Sequence, residues 1–184
     1  MFLDNKLFHM IPLKAVKNMI VDKIKVGPLR TNCYIVTNNK KTIIIDPGDE
    51  AKKIIRACDG LNVVGILVTH HHYDHVGALK EIEEYYKVKA SKQIDGFDFK
   101  IIKTPGHTMD SISYYFENEG ILFCGDFIFY HTIGRTDLPT SSDKDMKESL
   151  DLISQLPDDT IIYPGHGINT TIGEEKQFFS HYYE

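Results

Sequence analysis

The segment Thr69-His70-His71-His72-Tyr73-Asp74-His75 places four metal-ligating side chains within six positions, in the pattern H-x-H-x-D-H. Imidazole nitrogens and carboxylate oxygens are good ligands for zinc, iron or manganese. A loop leaving a strand can turn alternate side chains toward one point. His70 and His72 would then face one ion, and Asp74 and His75, after the turn, a second. His71 is expected to point away.

Three further segments each offer a ligand-type residue on a glycine-bearing turn: Pro105-Gly106-His107-Thr108, Cys124-Gly125-Asp126 and Pro164-Gly165-His166-Gly167. Each follows a stretch that reads as a strand, and the ends of strands are where open α/β sheets place their sites. A histidine-rich loop without function would not account for four such turns. Cys124 lies two residues before Asp126 and reads as a small core residue rather than a nucleophile, because the ligand set is complete without it.

The elements that must carry these turns follow from periodicity. Residues 19–26 alternate as a strand, and two more strands are expected at 32–37 and 42–46 with Asn38-Asn39 as a hairpin signal between them. Residues 50–58 have helical spacing, stopped by Gly60. The nearly all-apolar run 62–68 fits a strand buried on both faces. A helix is expected over 76–86, with short strands near 87–90, 98–103, 111–116 and 120–124. Residues 143–156 form an amphipathic helix with Met146, Leu150, Ile153 and Leu156 on one side and Asp143 as its cap. A last strand over 160–163 precedes a helix from about Gly173. Strands in runs with occasional helices give a mixed α/β layer architecture. Residues 1–18 do not continue the pattern and read as an N-terminal extension to a catalytic domain over 19–184.

The 184 residues fit one domain, and 42% apolar with 26% charged residues is ordinary globular usage. A net charge of −5 gives no basic footprint for nucleic acid. Three cysteines without a CxxC pair form neither a disulfide framework nor a thiolate zinc site and suit a reducing cytosol. No apolar run approaches the roughly 20 residues of a membrane helix, and no cleavable leader is evident. A cytoplasmic protein without nucleic-acid or membrane partners is expected, of undetermined oligomeric state.

As a set, T-H-x-H-x-D-H, the G-H-T, G-D and P-G-H-G turns and the early Asp46-Pro47-Gly48-Asp49 resemble the metallo-β-lactamase superfamily, over nearly all of 19–176. The resemblance implies a four-layer αββα sandwich with metals at one edge of two facing sheets. It implies that His70, His72 and His107 hold one metal, that Asp74, His75 and His166 hold a second, and that Asp126 bridges them. Asp74 and Asp126 are then catalytic as well as ligating, and Asp46 supports the ligand loops from behind. Gly134-Arg135-Thr136-Asp137-Leu138-Pro139 narrows the likeness to the short glyoxalase II-like (hydroxyacylglutathione hydrolase-like) branch and to the related persulfide dioxygenases. There Arg135 would bind a substrate carboxylate, unless it merely pairs with Asp137. Two departures stand out: 18 residues remain after His166, too few for the helical glutathione-gripping domain of full glyoxalase II enzymes, and Met109-Asp110 puts a carboxylate near the entrance.

The expected activity is metal-dependent hydrolysis of a small anionic thioester, S-acyl-glutathione or a related acyl thiol, at two divalent ions. Zinc is the first candidate, with iron or manganese as alternatives. A mononuclear iron, persulfide dioxygenase-like oxidoreductase using His70, His107 and Asp126 is the rival, and a non-catalytic metal-binding module is a further one. Tyr130 and His131, just before the GRTDLP segment, could face substrate, though packing accounts for the tyrosine as well.

Overall fold

The structure, a computed structural model, describes residues 19–182. The expected extension over 1–18, and His9 within it, lie outside the described residues.

Two sheets carry the chain. The first contains β1 (Ile20–Val26), β2 (Thr31–Asn38), β3 (Lys41–Ile45) and β4 (Val63–Leu67), in the order β1-β2-β3-β4. The second contains β5 (Lys100–Lys103), β6 (Ile112–Phe116), β7 (Ile121–Gly125), β10 (Ile161–Pro164) and β11 (Thr170–Thr171), in the order β11-β10-β7-β6-β5. A small hairpin, β8 (Ile128–Phe129) with β9 (Thr132–Ile133), and the short β11 were not expected from the sequence. The β2–β3 hairpin turns through Asn39 and Lys40, both at positive φ, which is the two-residue turn that matches strand twist.

The layering comes from strands that are apolar on both faces. Tyr34, Val36, Ile43, Ile45 and Leu67 from the first sheet meet Ile112, Tyr114, Phe116, Ile121 and Phe123 from the second. The intervening residues face outward. Cys33, Ile35, Ile44 and Ile66 pack under α1 (Ala51–Ala57) and α3 (Leu79–Tyr86) through Ile54 and Ile82. Tyr115, Leu122 and Cys124 pack under α4 (Asp143–Ile153) and α5 (Ile172–Glu175) through Met146, Leu150, Ile153 and Ile172. With side chains alternating at a period of two, only helices on both outer faces can cover such strands. The result is the αββα sandwich.

Several local expectations are corrected. The helix expected over 76–86 is α3, which begins at Leu79, and a separate short helix not expected there, α2 (Tyr73–Val76), lies within the ligand run. Residues 87–90 make only an isolated bridge, Ala90 with Ile66. Ser142, not Asp143, caps α4, its hydroxyl accepting from the Asp145 amide at 3.1 Å. The helix expected from about Gly173 is found, starting at Ile172 with Thr171 as its cap.

Strand direction explains where the site must be. β3 and β4 are parallel, as are β7 and β10, and β5 shares their direction through two antiparallel pairings with β6. Asp46, His70, His107, Asp126 and His166 all lie just beyond the C-terminal ends of these strands. They therefore gather at one edge of the sandwich. Tyr34 Oη and the Asn32 amide stitch the sheets there, donating to the Pro164 carbonyl at 2.6 Å and the Gly165 carbonyl at 2.7 Å.

Candidate metal centre

All seven residues singled out as ligands converge. One imidazole nitrogen each from His70, His72 and His107 falls within 4.8 Å of the others, as do ligand atoms of Asp74, His75 and His166, and of His70, His75 and Asp126. His72 Nδ1 stands 3.2 Å from His70 Nε2 and 2.9 Å from His107 Nε2. On the other side, His166 Nε2 lies 3.2 Å from Asp74 Oδ2 and 3.4 Å from Asp126 Oδ2. Asp126 also approaches the first trio, its Oδ2 lying 3.7 Å from His107 Nε2. The two groups meet at Asp126. His71 turns outward to an exposed pairing with Asp110, as expected, and so is not part of either group.

Behind the cluster sits Asp46, buried, with a left-handed backbone at φ 53°. Its carboxylate accepts from the Thr69 amide at 2.8 Å, the Thr69 hydroxyl at 2.7 Å and His75 Nδ1 at 2.9 Å. The Thr69 hydroxyl in turn accepts from His70 Nδ1 at 3.1 Å. One carboxylate thus orients two imidazoles, holding Nδ1 of each toward the protein and turning Nε2 of each toward the cluster. His107 Nδ1 donates to the Arg135 carbonyl at 3.0 Å, which turns its Nε2 to the cluster in the same way. Thr31 donates to Asp74 Oδ2 at 2.7 Å. No periodicity or motif marked Thr31 or the Arg135 carbonyl, and Thr69, though it opens the T-H-x-H-x-D-H run, carried no assigned role. They are polar groups at strand ends whose partners become visible only when the two sheets are assembled.

Glycine is required where the turns touch. A side chain on Gly165 would begin 2.1 Å from Asp126 Oδ1 and 2.7 Å from His75 Cε1, and one on Gly48 would begin 1.6 Å from the Asp74 carbonyl oxygen. These positions allow the ligand turns to approach one another.

The electrostatics are those of a site built for cations. Burial, reinforced by the positive charge of His75, pushes the His70 imidazole down to about 3. For His75, burial works against the charged form, but the carboxylates of Asp46 and Asp126 outweigh it and raise it to about 10. His166 likewise rises to about 9 against burial, through hydrogen bonds to Asp126 and Asp74. Burial would raise Asp74 and Asp126, yet their histidine partners hold both carboxyls far below the usual range. His75 Nε2 and Asp126 Oδ1 are buried as an ion pair 3.2 Å apart, without the alignment of a hydrogen bond. Buried polar atoms are rarely left without one, and a divalent cation would suit both as ligands.

Arg135 is exposed and forks onto Asp137, Nε to Oδ1 at 2.8 Å and Nη2 to Oδ2 at 2.9 Å. The side chain thus makes the pairing foreseen as its alternative role, while its carbonyl serves His107. Cys124 is buried in the core, where desolvation pushes its thiol up to about 12. Tyr130 stacks on His131 at 3.8 Å between ring centroids, and His131 also meets Phe178.

The family model of the metallo-beta-lactamase superfamily matches residues 26–92 and 88–166, and the chain belongs to that superfamily. Its divalent-metal chemistry accords with the histidine and aspartate groups just described. Hydroxyacylglutathione hydrolase GloC of Haemophilus influenzae is 30% identical across 86% of this chain and 96% of its own length, which places the chain in the glyoxalase II-like branch. Among solved structures, the BLEG-1 B3 metallo-beta-lactamase superposes with a TM-score of 0.83 at 30% identity, covering 90% of this chain and all of that one. ETHE1 from Myxococcus xanthus gives 0.76 at 26% identity, over 86% and 82% of the two chains. No helix among the described residues is long and apolar enough to cross a membrane.

Proposed function

We propose that this chain hydrolyses small anionic thioesters, S-acyl-glutathione or a related acyl thiol, at two divalent ions, zinc in the first instance. His70, His72 and His107 hold one ion, Asp74, His75 and His166 the other, and Asp126 lies between. The observation that supports this reading is the convergence of the ligand groups on Asp126, where His75 Nε2 and Asp126 Oδ1 are buried 3.2 Å apart with no hydrogen bond to either atom. When bound, two such ions supply a water ionised near neutral pH and Lewis acidity toward a carbonyl.

The chain's own residues do the rest. Asp46, directly and through Thr69, holds His75 and His70 with Nε2 facing inward. The Arg135 carbonyl does this for His107, and Thr31 keeps one Asp74 oxygen oriented. Asp74 and Asp126 only partly offset the charge of two divalent ions, so the loaded centre stays cationic and attracts an anionic substrate. A thioester suits it because a thiolate departs without a strong general acid. Arg135, whose fork closes on Asp137, would take a substrate carboxylate by exchanging that pairing for the substrate. Buried, unpaired cysteines fit a reducing cytoplasm.

Protein prepared without chelator or tag, assayed with S-lactoylglutathione, should release thiol without consuming oxygen. A second reading, a mononuclear iron, persulfide dioxygenase-like oxidoreductase, draws support from the ETHE1 likeness and from the approach of His70, His107 and Asp126. Oxygen uptake with one iron per chain and no thioester turnover would favour it.

A further inference from the structure

We propose that Glu175 is a positioning residue for the metal centre, holding from outside the β8–β9 hairpin that follows Asp126 and whose base presses on His107. The inference rests on the metal-ligand reading above and is independent of the nature of the substrate. Glu175 ends α5 and is 1% exposed. Its carboxylate accepts from two neutral donors, the His131 amide at 2.9 Å and the Thr170 hydroxyl. A buried carboxylate is costly unless its hydrogen bonds are made. The one from His131 reaches out of the C-terminal segment to the tip of the hairpin.

That tip needs an outside hold. β8 and β9 pair over two residues each, Ile128 with Ile133 and Phe129 with Thr132, and so short a ribbon is marginal by itself. The favoured two-residue turns carry positive φ at their first central residue or at both, usually with glycine, asparagine or aspartate there. Here Tyr130-His131 makes the turn, and its second residue, His131, is left-handed at φ 56°, a conformation that costs a residue with a side chain. The Glu175 carboxylate fixes the amide of that residue, Glu174 Oε1 meets its ring nitrogen at 3.3 Å, and Phe178 packs on its ring.

The base of the hairpin lies at the metal centre. It closes with the Gly134 amide donating to the Phe127 carbonyl at 3.0 Å. A side chain on Gly134 would begin 1.8 Å from the Asp126 carbonyl oxygen and 3.1 Å from His107 Cβ, so the base is pressed against two ligand residues. The next residue, Arg135, supplies the carbonyl that orients His107. On β8, the Phe129 ring lies 6.1 Å from that of His166. Releasing the tip therefore loosens the backing of three ligands, although Glu175 touches none of them.

The test reads metal binding rather than turnover. Zinc affinity is measured by chelator competition, and ligand geometry by the cobalt(II) absorption spectrum, at a temperature where the metal-free variants are folded. Glu175→Ala should lower zinc affinity about tenfold and alter the cobalt spectrum. Glu175→Gln, whose amide oxygen and N–H₂ still serve His131 and Thr170, should stay within about threefold of the parent. Ile153→Val, a core change on α4, should lower the melting temperature by about 3 °C and leave affinity and spectrum unchanged. His131→Gly removes the cost of the left-handed turn, so its loss and that of Glu175→Ala should fall short of adding in the double variant. If Glu175→Ala does not fold, Glu175→Asp, one methylene shorter, takes its place with the same outcomes. Zinc affinity within about twofold of the parent in the folded Ala or Asp variant, or full additivity with His131→Gly, overturns the positioning role. The expected affinity losses in a protein that hydrolyses no thioester uphold the role of Glu175 and overturn the hydrolytic reading alone.

Discussion

Replacing Asp46 by Asn separates charge from shape at the group behind the ligands. Asparagine tolerates the left-handed backbone that Asp46 adopts at φ 53°, so the substitution adds little strain of its own. Asp46 now accepts three hydrogen bonds, from the Thr69 amide, the Thr69 hydroxyl and His75 Nδ1. An amide has one oxygen. In its best orientation it keeps the hydroxyl and the imidazole, both weakened from charge-assisted to neutral, and its own N–H₂ confronts the Thr69 amide. Weakening two buried bonds by about 1 kcal/mol each and stranding a donor at about 1–3 kcal/mol sums to roughly 3–5 kcal/mol. At about 2–4 °C per kcal/mol for a chain of this size, the metal-free melting temperature should fall by roughly 10 °C. His75 also loses the anion that makes it a strong ligand, so metal affinity should drop about 10- to 100-fold. Calorimetry in chelator gives the first quantity, and competition against a chromophoric chelator gives the second. A Tm within about 2 °C of the parent and affinity within about twofold would refute the supporting role given to Asp46.

Gly165→Ala places a methyl group 2.1 Å from Asp126 Oδ1, so the carboxylate must move; kcat/KM should fall about 100-fold with the fold retained, and unchanged kinetics would show that the turn relaxes freely. Metal-free stability should peak near pH 6.5. His75 and His166, raised to about 10 and about 9, contribute fully below their unfolded value and lose that contribution as pH climbs through the folded values; His70, depressed to about 3, costs stability as pH falls from 6.5 toward 3. Because His75 and His166 must give up protons to ligate, apparent metal affinity should rise between pH 6.5 and 9, and a pH-independent affinity would contradict their assignment. Arg135→Lys keeps the charge but loses the planar fork, so KM should rise at an unchanged Tm; unaltered kinetics would show that the fork serves only Asp137.

The ligand turns were legible because metal chemistry demands particular residue types, and an H-x-H-x-D-H run with three glycine-bearing turns seldom arises from packing needs alone. The sandwich followed from strands apolar on both faces, such as 42–45 and 62–68, which require cover on each side. Features that depend on two distant segments meeting were hidden. The close approach of Gly77 to the Gly48 carbonyl joins two distant turns, and the role of Thr31 comes from reaching Asp74 across the loop. The β8–β9 hairpin and β11 are two-residue strands, too short to show a period. The cap of α4 was expected one residue late: Asp143 begins the helix, and the adjacent Ser142 caps it.

The most direct test is a zinc titration of metal-free protein under continuous assay with S-lactoylglutathione. Hydrolysis should rise and reach its plateau at two equivalents of zinc per chain, with neither His71→Ala nor oxygen removal changing the endpoint. A plateau at one equivalent, or bound zinc without hydrolysis, would contradict the two-ion hydrolytic centre built from His70, His72, Asp74, His75, His107, Asp126 and His166.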